Sequence, residues 1–367
     1  MRKLLLSLCM VLALVSCKDE KKESAQANVK PMVKIGILYP LSGDGASLGE
    51  AGRIAANIFF EEFNQKPHKF NYQVIFEDNQ NKLSQQAILA QKLIDADKAD
   101  VLITAMSNFG AVVSPMAEKR KVVHVSIATD PTVAEGKYNI IASSNPTGEA
   151  ELLCSQLKKH SAKNVDVIVM NATGSQTMLD YFQTTTEKEN DLKIGQIYHV
   201  NPDEKDFRLM LLKIKESNPD YIVAFLFMPT IDIFMKQYKE AGINIPVTGI
   251  ETFTYLQNRE LAEGMWYVDA APATDAFISK YQAKTGKVST DYAEYMDFAL
   301  QVITFGYEGA GTTDKEKVID YIQNNSSGQE TAVGKITTEA DGILNGQPIT
   351  KKIINGQPVK IVETESD

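Results

Sequence analysis

From Val33 onward, short apolar runs alternate with segments whose apolar residues recur every three or four positions, the pattern of strands alternating with amphipathic helices. The runs predict strands over Val33 to Tyr39, Tyr72 to Glu77, Val101 to Ala105 and Val122 to Ser126, with helices starting at Ser47, Leu83 and Gly110. A second series repeats the rhythm. Its strands are Val165 to Met170, Ile194 to Val200, Tyr221 to Phe227 and Pro246 to Ile250, and its helices start at Ser175, Lys205 and Thr230. Two such series predict an α/β chain with two Rossmann-like lobes, each a parallel sheet flanked by helices, in preference to one eight-stranded barrel. Asp275 to Lys284 and Tyr292 to Gly309 are helical with no strand between them, and are expected to return to cover the first lobe. Near the end, Asn345-Gly346 and Asn355-Gly356 bracket Ile349 to Ile354. Asn-Gly favours the type I′ turn, so a short β ribbon is expected there.

The turn-rich stretch after the first strand, PLSGDGASLG, resembles a nucleotide loop without its chemistry. Gly43, Gly45 and Gly49 are spaced G-x-G-x-x-x-G, one residue off the dinucleotide fingerprint, and no Gly-Lys-Ser/Thr follows. The loop therefore serves a ligand other than a pyrophosphate, or none.

In an open parallel sheet the ligand crevice lies beyond the carboxyl ends of the strands, so the loops that follow them are the candidate site. In the first lobe these are Pro40 to Gly49, Met106 to Gly110 and Ile127 to Pro131. Ser47 and Glu50 form a Ser-x-x-Glu capping box, which makes Ser47 a helix cap, and Leu48 beside it faces either the crevice or the core. Ser107 and Asn108 open a helix after a strand, where a hydroxyl, backbone N–H groups and the helix dipole can hold a carboxylate, and Thr129 offers a matching hydroxyl. In the second lobe the equivalent loops are Gly174 to Thr177, Phe227 to Pro229 and Glu251 to Phe253. Phe227 offers an apolar wall. Glu251 is either a partner for an ammonium group or a solvated loop acid.

Composition narrows the setting. Arg2 and Lys3 precede an apolar stretch, Leu4 to Val15, too short to span a bilayer as a mature helix, and Leu14-Val15-Ser16-Cys17 resembles a bacterial lipobox. Residues 1–16 are then a lipoprotein signal peptide, Cys17 carries lipid, and residues 17–31, charged and polar, form a disordered tether; the alternative is an ordinary secretory signal. Removal of the signal leaves 351 of the 367 residues, with 36 basic against 47 acidic side chains, a net charge of −11. That balance argues against nucleic acid and against peripheral binding to anionic lipid. Cys154, in the pattern ELLCSQL, is expected as a small residue on an apolar helix face.

These residues carry a family resemblance. VKIGILYPLSG at Val33 to Gly43, Gly49, and a helix ending Glu61-Glu62-Phe63-Asn64 resemble the opening of type I periplasmic binding proteins of the branched-chain amino acid class. The likeness continues through Glu77-Asp78-Asn79, Pro115-Met116-Ala117-Glu118, Ser126 to Pro131, Tyr238 to Gly242 and Asp341-Gly342. It implies a two-lobed clamshell holding one small ligand, with crossings near Ala142 to Pro146, Asp269 to Pro272 and Val333 to Thr338. The lobes implied are residues 32–143 with 272–333, and 144–271 with 334–362. The family's carboxylate-binding serine falls on Ser107, its next loop contacts on Ala128 and Thr129, and its ammonium-binding acid on or near Glu251. Two tyrosines common in the family fall on Leu48 and near Gln176, and the family's first-lobe disulfide is missing.

The resemblance implies a monomeric, lipid-anchored solute-binding protein of the cell envelope that captures an amino acid or related small carboxylate or amide. It would deliver the ligand to an ABC permease and ATPase complex. A clamshell lipoprotein acting as a sensor or as a regulator of an envelope enzyme is the alternative. Catalysis is not expected: no Gly-x-Ser-x-Gly or His-Glu-x-x-His is present, and His68, His124, His160 and His199 are too far apart in sequence to suggest a metal site. No cofactor is expected, and His124 reads as a strand residue satisfied by hydrogen bonds. Lys18, following the cysteine, favours the outer membrane or a Gram-positive surface.

Overall fold

The structure, a computed structural model, describes residues 30–188, 191–254, 256–287, 292–339 and 342–361. The signal peptide, Cys17 and all of the tether before Lys30 lie outside the described residues. The first sheet is built from β1 (Met32–Tyr39), β2 (Asn71–Asp78), β3 (Val101–Ala105), β4 (Val123–Ile127) and β5 (Asn139–Ser143). Between the first four run α1 (Ala46–Phe63), α2 (Leu83–Asp95) and α3 (Ser107–Arg120). After α4 (Pro146–Lys159), a second sheet follows with β6 (Asn164–Met170), β7 (Lys193–Val200), β8 (Tyr221–Phe225) and β9 (Val247–Thr248), connected by α5 (Thr173–Lys188), α6 (Arg208–Ser217) and α7 (Thr230–Glu240). The chain then forms β10 (Trp266–Asp269), α8 (Asp275–Thr285), α9 (Ala293–Ala310) and α10 (Lys315–Asn325). Six short strands close it: β11 (Glu330–Thr331), β12 (Gly334–Lys335), β13 (Thr337–Thr338), β14 (Ile343–Asn345), β15 (Ile349–Ile354) and β16 (Gln357–Lys360).

Strand order in the first sheet is β13-β14-β5-β4-β3-β1-β2, parallel throughout except for β13. The second is β7-β6-β8-β9, all parallel, and a bridge between Ile250 and Val268 carries it on to the antiparallel trio β10-β15-β16. Both sheets bury two faces, as the unbroken apolar strands demand. Val33, Ile35, Ile37 and Tyr39 face a core shared with α1, α8 and α9, whereas Leu38 turns to the opposite core with Leu93 of α2 and Val113 of α3. In β6, Val165, Val167 and Val169 pack toward α4 and α5, and Ile168 and Met170 toward α6 and α7. Helices α8 and α9 do return to cover the first lobe, through Phe277, Tyr281, Met296 and Leu300.

Three sequence expectations need correction. The capping box is absent: a 3-10 turn at Gly43–Gly45 runs straight into α1, so Ser47 lies inside the helix, and Glu50 instead pairs with Arg53 at 2.8 Å. The third crossing is not at Val333 to Thr338. There β13 and β14 extend the first sheet, with β14 parallel to β5, and the chain leaves for the second sheet only at Gly346 to Pro348. Asn345-Gly346 is consequently no hairpin turn, since the strands it joins lie in different sheets. Asn355-Gly356 is one: both residues have positive φ, 53° and 68°, as a type I′ turn requires, and β15 pairs antiparallel with β16.

Candidate functional site

The 2-1-3-4-5 order of the first sheet places its topological switch between β1 and β3, where connections leave in opposite directions and a crevice opens at the strand ends. Ser107 sits at that point. It starts α3 directly after β3, because Met106 takes φ 69° and ψ 140° and turns the chain with no intervening loop. A non-glycine residue there costs about 1–3 kcal/mol, a strain found where a side chain must be aimed. Ser107 is buried, and its Oγ accepts from the N–H groups of Thr129 (3.0 Å) and Asp130 (3.1 Å) in the loop after β4. The hydroxyl donates to no acceptor among the described residues, so its proton can serve a further one. Ala128 is buried beside it, and Thr129 and Asn108 are half-buried, with Asn108 Oδ1 accepting from the N–H of Phe109. Asp130 is occupied in capping the next turn through Thr132. Leu48 is half-buried and packs against the first-lobe core.

The second sheet reverses in the same way between β6 and β8, and their following loops start α5 and α7. Gly174, in the first turn of α5, approaches Ser107 across the lobes: a Cβ at Gly174 would lie 3.4 Å from Ser107 Oγ. The next residue, Ser175, is fully buried, and its hydroxyl has no hydrogen-bond partner among the described residues. Gln176 is half-buried and donates to Asp180 one turn along its helix at 2.8 Å. Phe227 is half-buried and packs against both cores of the second lobe. Glu251 follows the Ile250 bridge at φ 55°, held by its N–H to Val268 O at 2.7 Å, and is almost fully buried. It is not a solvated loop acid.

Around Glu251 the hinge gathers charge that sequence reading missed. Glu149, in the first turn of α4, is fully buried, and neither carboxylate oxygen has a hydrogen-bond partner among the described residues. Burial first, then the negative fields of Glu251 and Asp269, hold its pKa well above the ordinary carboxylate value, while the nearby Ser144 hydroxyl favours the charged form without completing a hydrogen bond. Asp269, at the end of β10, is paired with Lys351 of β15 at 2.6 Å and accepts from Thr254 Oγ1 (3.0 Å) and Tyr292 OH (2.8 Å). Burial works against the charge on Lys351, but Asp269 outweighs it and raises the pKa of the ammonium. One signal pointed to Glu149. It shares the helical stripe of Ala150, Leu153 and Leu157, and an acid on an apolar stripe is buried.

Two further residues lie as the sequence suggests. His124 is fully buried between Thr104 Oγ1 (2.8 Å) and Asn139 Oδ1 (2.9 Å), and burial lowers its pKa to about 4. Cys154 is buried with Leu153 and Leu157 in the second lobe.

Two switch points facing each other across a hinge define a class of molecule, and the comparison with known proteins bears on which. Residues 32–357 match the periplasmic binding protein family. The chain belongs to that family. It is similar to the Leu/Ile/Val-binding protein homolog 3 of Brucella melitensis, 23% identical over 329 residues that span 85% of this chain and 89% of the relative. Among solved structures it resembles the leucine binding protein LivK of Thermotoga maritima, with a TM-score of 0.79 at 22% identity over 90% of this chain and 98% of the other. It also resembles a solute-binding protein of an ABC transporter from R. palustris in complex with benzoate, with a TM-score of 0.80 at 17% identity over 90% and 95% of the two chains. This periplasmic binding protein therefore has the type I fold of the branched-chain amino acid class, a two-lobed clamshell, and its family role is to bind a solute.

Proposed function

We propose that this protein captures a small carboxylate-bearing solute, an amino acid in the first instance, between its lobes and delivers it to an ABC importer. The observation that carries the reading is Ser107, whose hydroxyl is fixed by two N–H groups of the neighbouring loop and meets the start of α5 from the other lobe. The ligand carboxylate takes the Ser107 O–H and the Ala128 to Thr129 segment, with Asn108 alongside. Its ammonium takes Glu251, and Leu48, Gln176 and Phe227 bound the side chain. Contacts from both lobes favour the closed state through differential affinity. Lipid on Cys17 would keep the protein at the membrane, outside the cytoplasm, beside its permease.

Isothermal titration with leucine, isoleucine and valine tests this. Ser107→Ala is expected to weaken the amino acid that binds by about 1–3 kcal/mol, roughly five- to 150-fold, by leaving a carboxylate hydrogen bond unmade. Unchanged affinity in that variant would remove the head-group assignment. The similarity to a benzoate-bound protein supports a second reading, an aromatic acid without an ammonium group. The two separate cleanly: an amino acid loses affinity in Glu251→Gln, whereas benzoate does not. Anchoring is read by detergent-phase partition, which Cys17→Ala should abolish.

A further inference from the structure

We propose that a groove in the first lobe, between α1, α8 and α9, is a second binding site, for a small primary amine with an apolar or aromatic body. The groove encloses about 480 Å³, within the size range of small-molecule sites, and neither Ser107 nor Thr129 nor Glu251 lines it. Its walls are Phe59 and Phe63 of α1, Phe277 of α8 and Phe305 of α9. Asp297 of α9 also lines it, is 6% exposed, and takes part in no hydrogen bond or ion pair among the described residues. A buried carboxylate without a partner is costly, and a cation with its own N–H donors removes that cost.

Several of the surrounding polar groups are already engaged, which narrows the ligand; the Ser326 hydroxyl, also on the groove, has no hydrogen-bond partner among the described residues. Glu62 holds Lys280 at 2.6 Å, the Glu308 carboxylate accepts from the N–H groups of Lys69 and Phe70 and from Tyr72 OH, and Gln301 Oε1 accepts from the Ala332 N–H. Asp297 is the one buried carboxylate among the described residues that line the groove, and by itself it cannot supply the several oxygens that a hard metal cation needs. A single ammonium on Asp297 with a hydrocarbon body against the phenyl rings satisfies both features, and the ring faces favour a cation.

The site should depend on pH. Burial raises the pKa of Asp297 to about 7, Lys280 pulling it down and Glu62 pushing it up, with Lys66, Glu308 and Glu330 the other charged groups on the groove. Ionised Asp297 is the binding form, so affinity should fall about tenfold from pH 8.5 to pH 6. The test is calorimetric titration of the full chain with 2-phenylethylamine and, separately, 2-phenylethanol. Expected are saturable binding of the amine at pH 8.5, a tenfold or greater loss in Asp297→Asn and in the half-exposed Phe63→Ala, no change in Ser107→Ala, and weaker binding of the alcohol. No saturable binding, equal affinity for the alcohol, or retention in both groove variants overturns the proposal. A loss in Ser107→Ala does so too, by placing the amine in the cleft.

Discussion

Glu149 sits in an environment that its chemistry disfavours: a carboxyl group fully buried, without a hydrogen-bond partner among the described residues, and beside two other acids. A raised carboxyl pKa in the folded state means that the unfolded chain gives up this proton first. Its contribution to stability is therefore complete below the ordinary carboxylate pKa and is lost as pH rises toward the folded value. Glu149→Gln is expected to raise stability by about 1–3 kcal/mol at pH 8 and to flatten the decline toward alkaline pH, measured by thermal unfolding across pH 5 to 9. A variant less stable at every pH would show that the charge is compensated. The Asp269–Lys351 pair predicts the opposite response to truncation. Lys351→Met leaves a buried, uncompensated Asp269 and should cost about 3–5 kcal/mol in urea unfolding, and Asp269→Asn in the same chain should recover part of that loss. Equal losses in the single and double variants would mean that the Lys351 stem matters by packing alone. Neither residue announces itself locally: Asp269 reads only as the start of a crossing and Lys351 as a position within the terminal ribbon, and only the pairing of β10 with β15 brings them together.

At the scale of elements, the hinge is the decisive piece. Its first crossing follows β5 through Ser144 and Asn145, where Asn145 caps α4 by accepting from the Gly148 N–H at 3.0 Å. Its second follows β10 through Ala270 and Ala271, and the Ala271 carbonyl accepts from Tyr295 OH of α9 at 3.0 Å. Its third is Gly346 to Pro348. A Cβ at Gly346 would stand 2.5 Å from Ala271 Cβ and 3.0 Å from Val333 O, so two crossings touch at a place that admits no side chain. Gly346→Val is expected to destabilise the fold by about 1–3 kcal/mol and to weaken ligand affinity, since the crossings must separate to accommodate it. Stability and titration measured together check this, and unaltered values for both would show that the crossings have slack. Periodicity revealed β1, β3, β6 and β8 and their helices because each is a strong apolar run or stripe. It missed β5 and β10, which are short and lie at the crossings, and it misplaced the last crossing because Asn-Gly carries the same local preference whether the flanking strands share a sheet or not.

For the whole molecule, the approach of Gly174 to Ser107 describes a cleft whose lobes meet at the proposed head-group site. Solute must enter by separation of the lobes, so small-angle scattering should record a smaller radius of gyration with bound ligand than without. Superimposable curves at saturating ligand would count against a hinge-closing role. The sequence by itself determined the α/β class, the two lobes, the return of α8 and α9, and the position of Ser107 and Thr129 directly after strands, because strand and helix periods and strand-end loops are local properties of the chain. Tertiary structure alone decided which sheet β14 joins, that Ser47 caps nothing, that Glu251 is buried, and that Glu149, Asp269 and Lys351 form one charged cluster. Those outcomes depend on pairing and burial between segments up to two hundred residues apart, and no local pattern encodes which distant surface removes a given side chain from water.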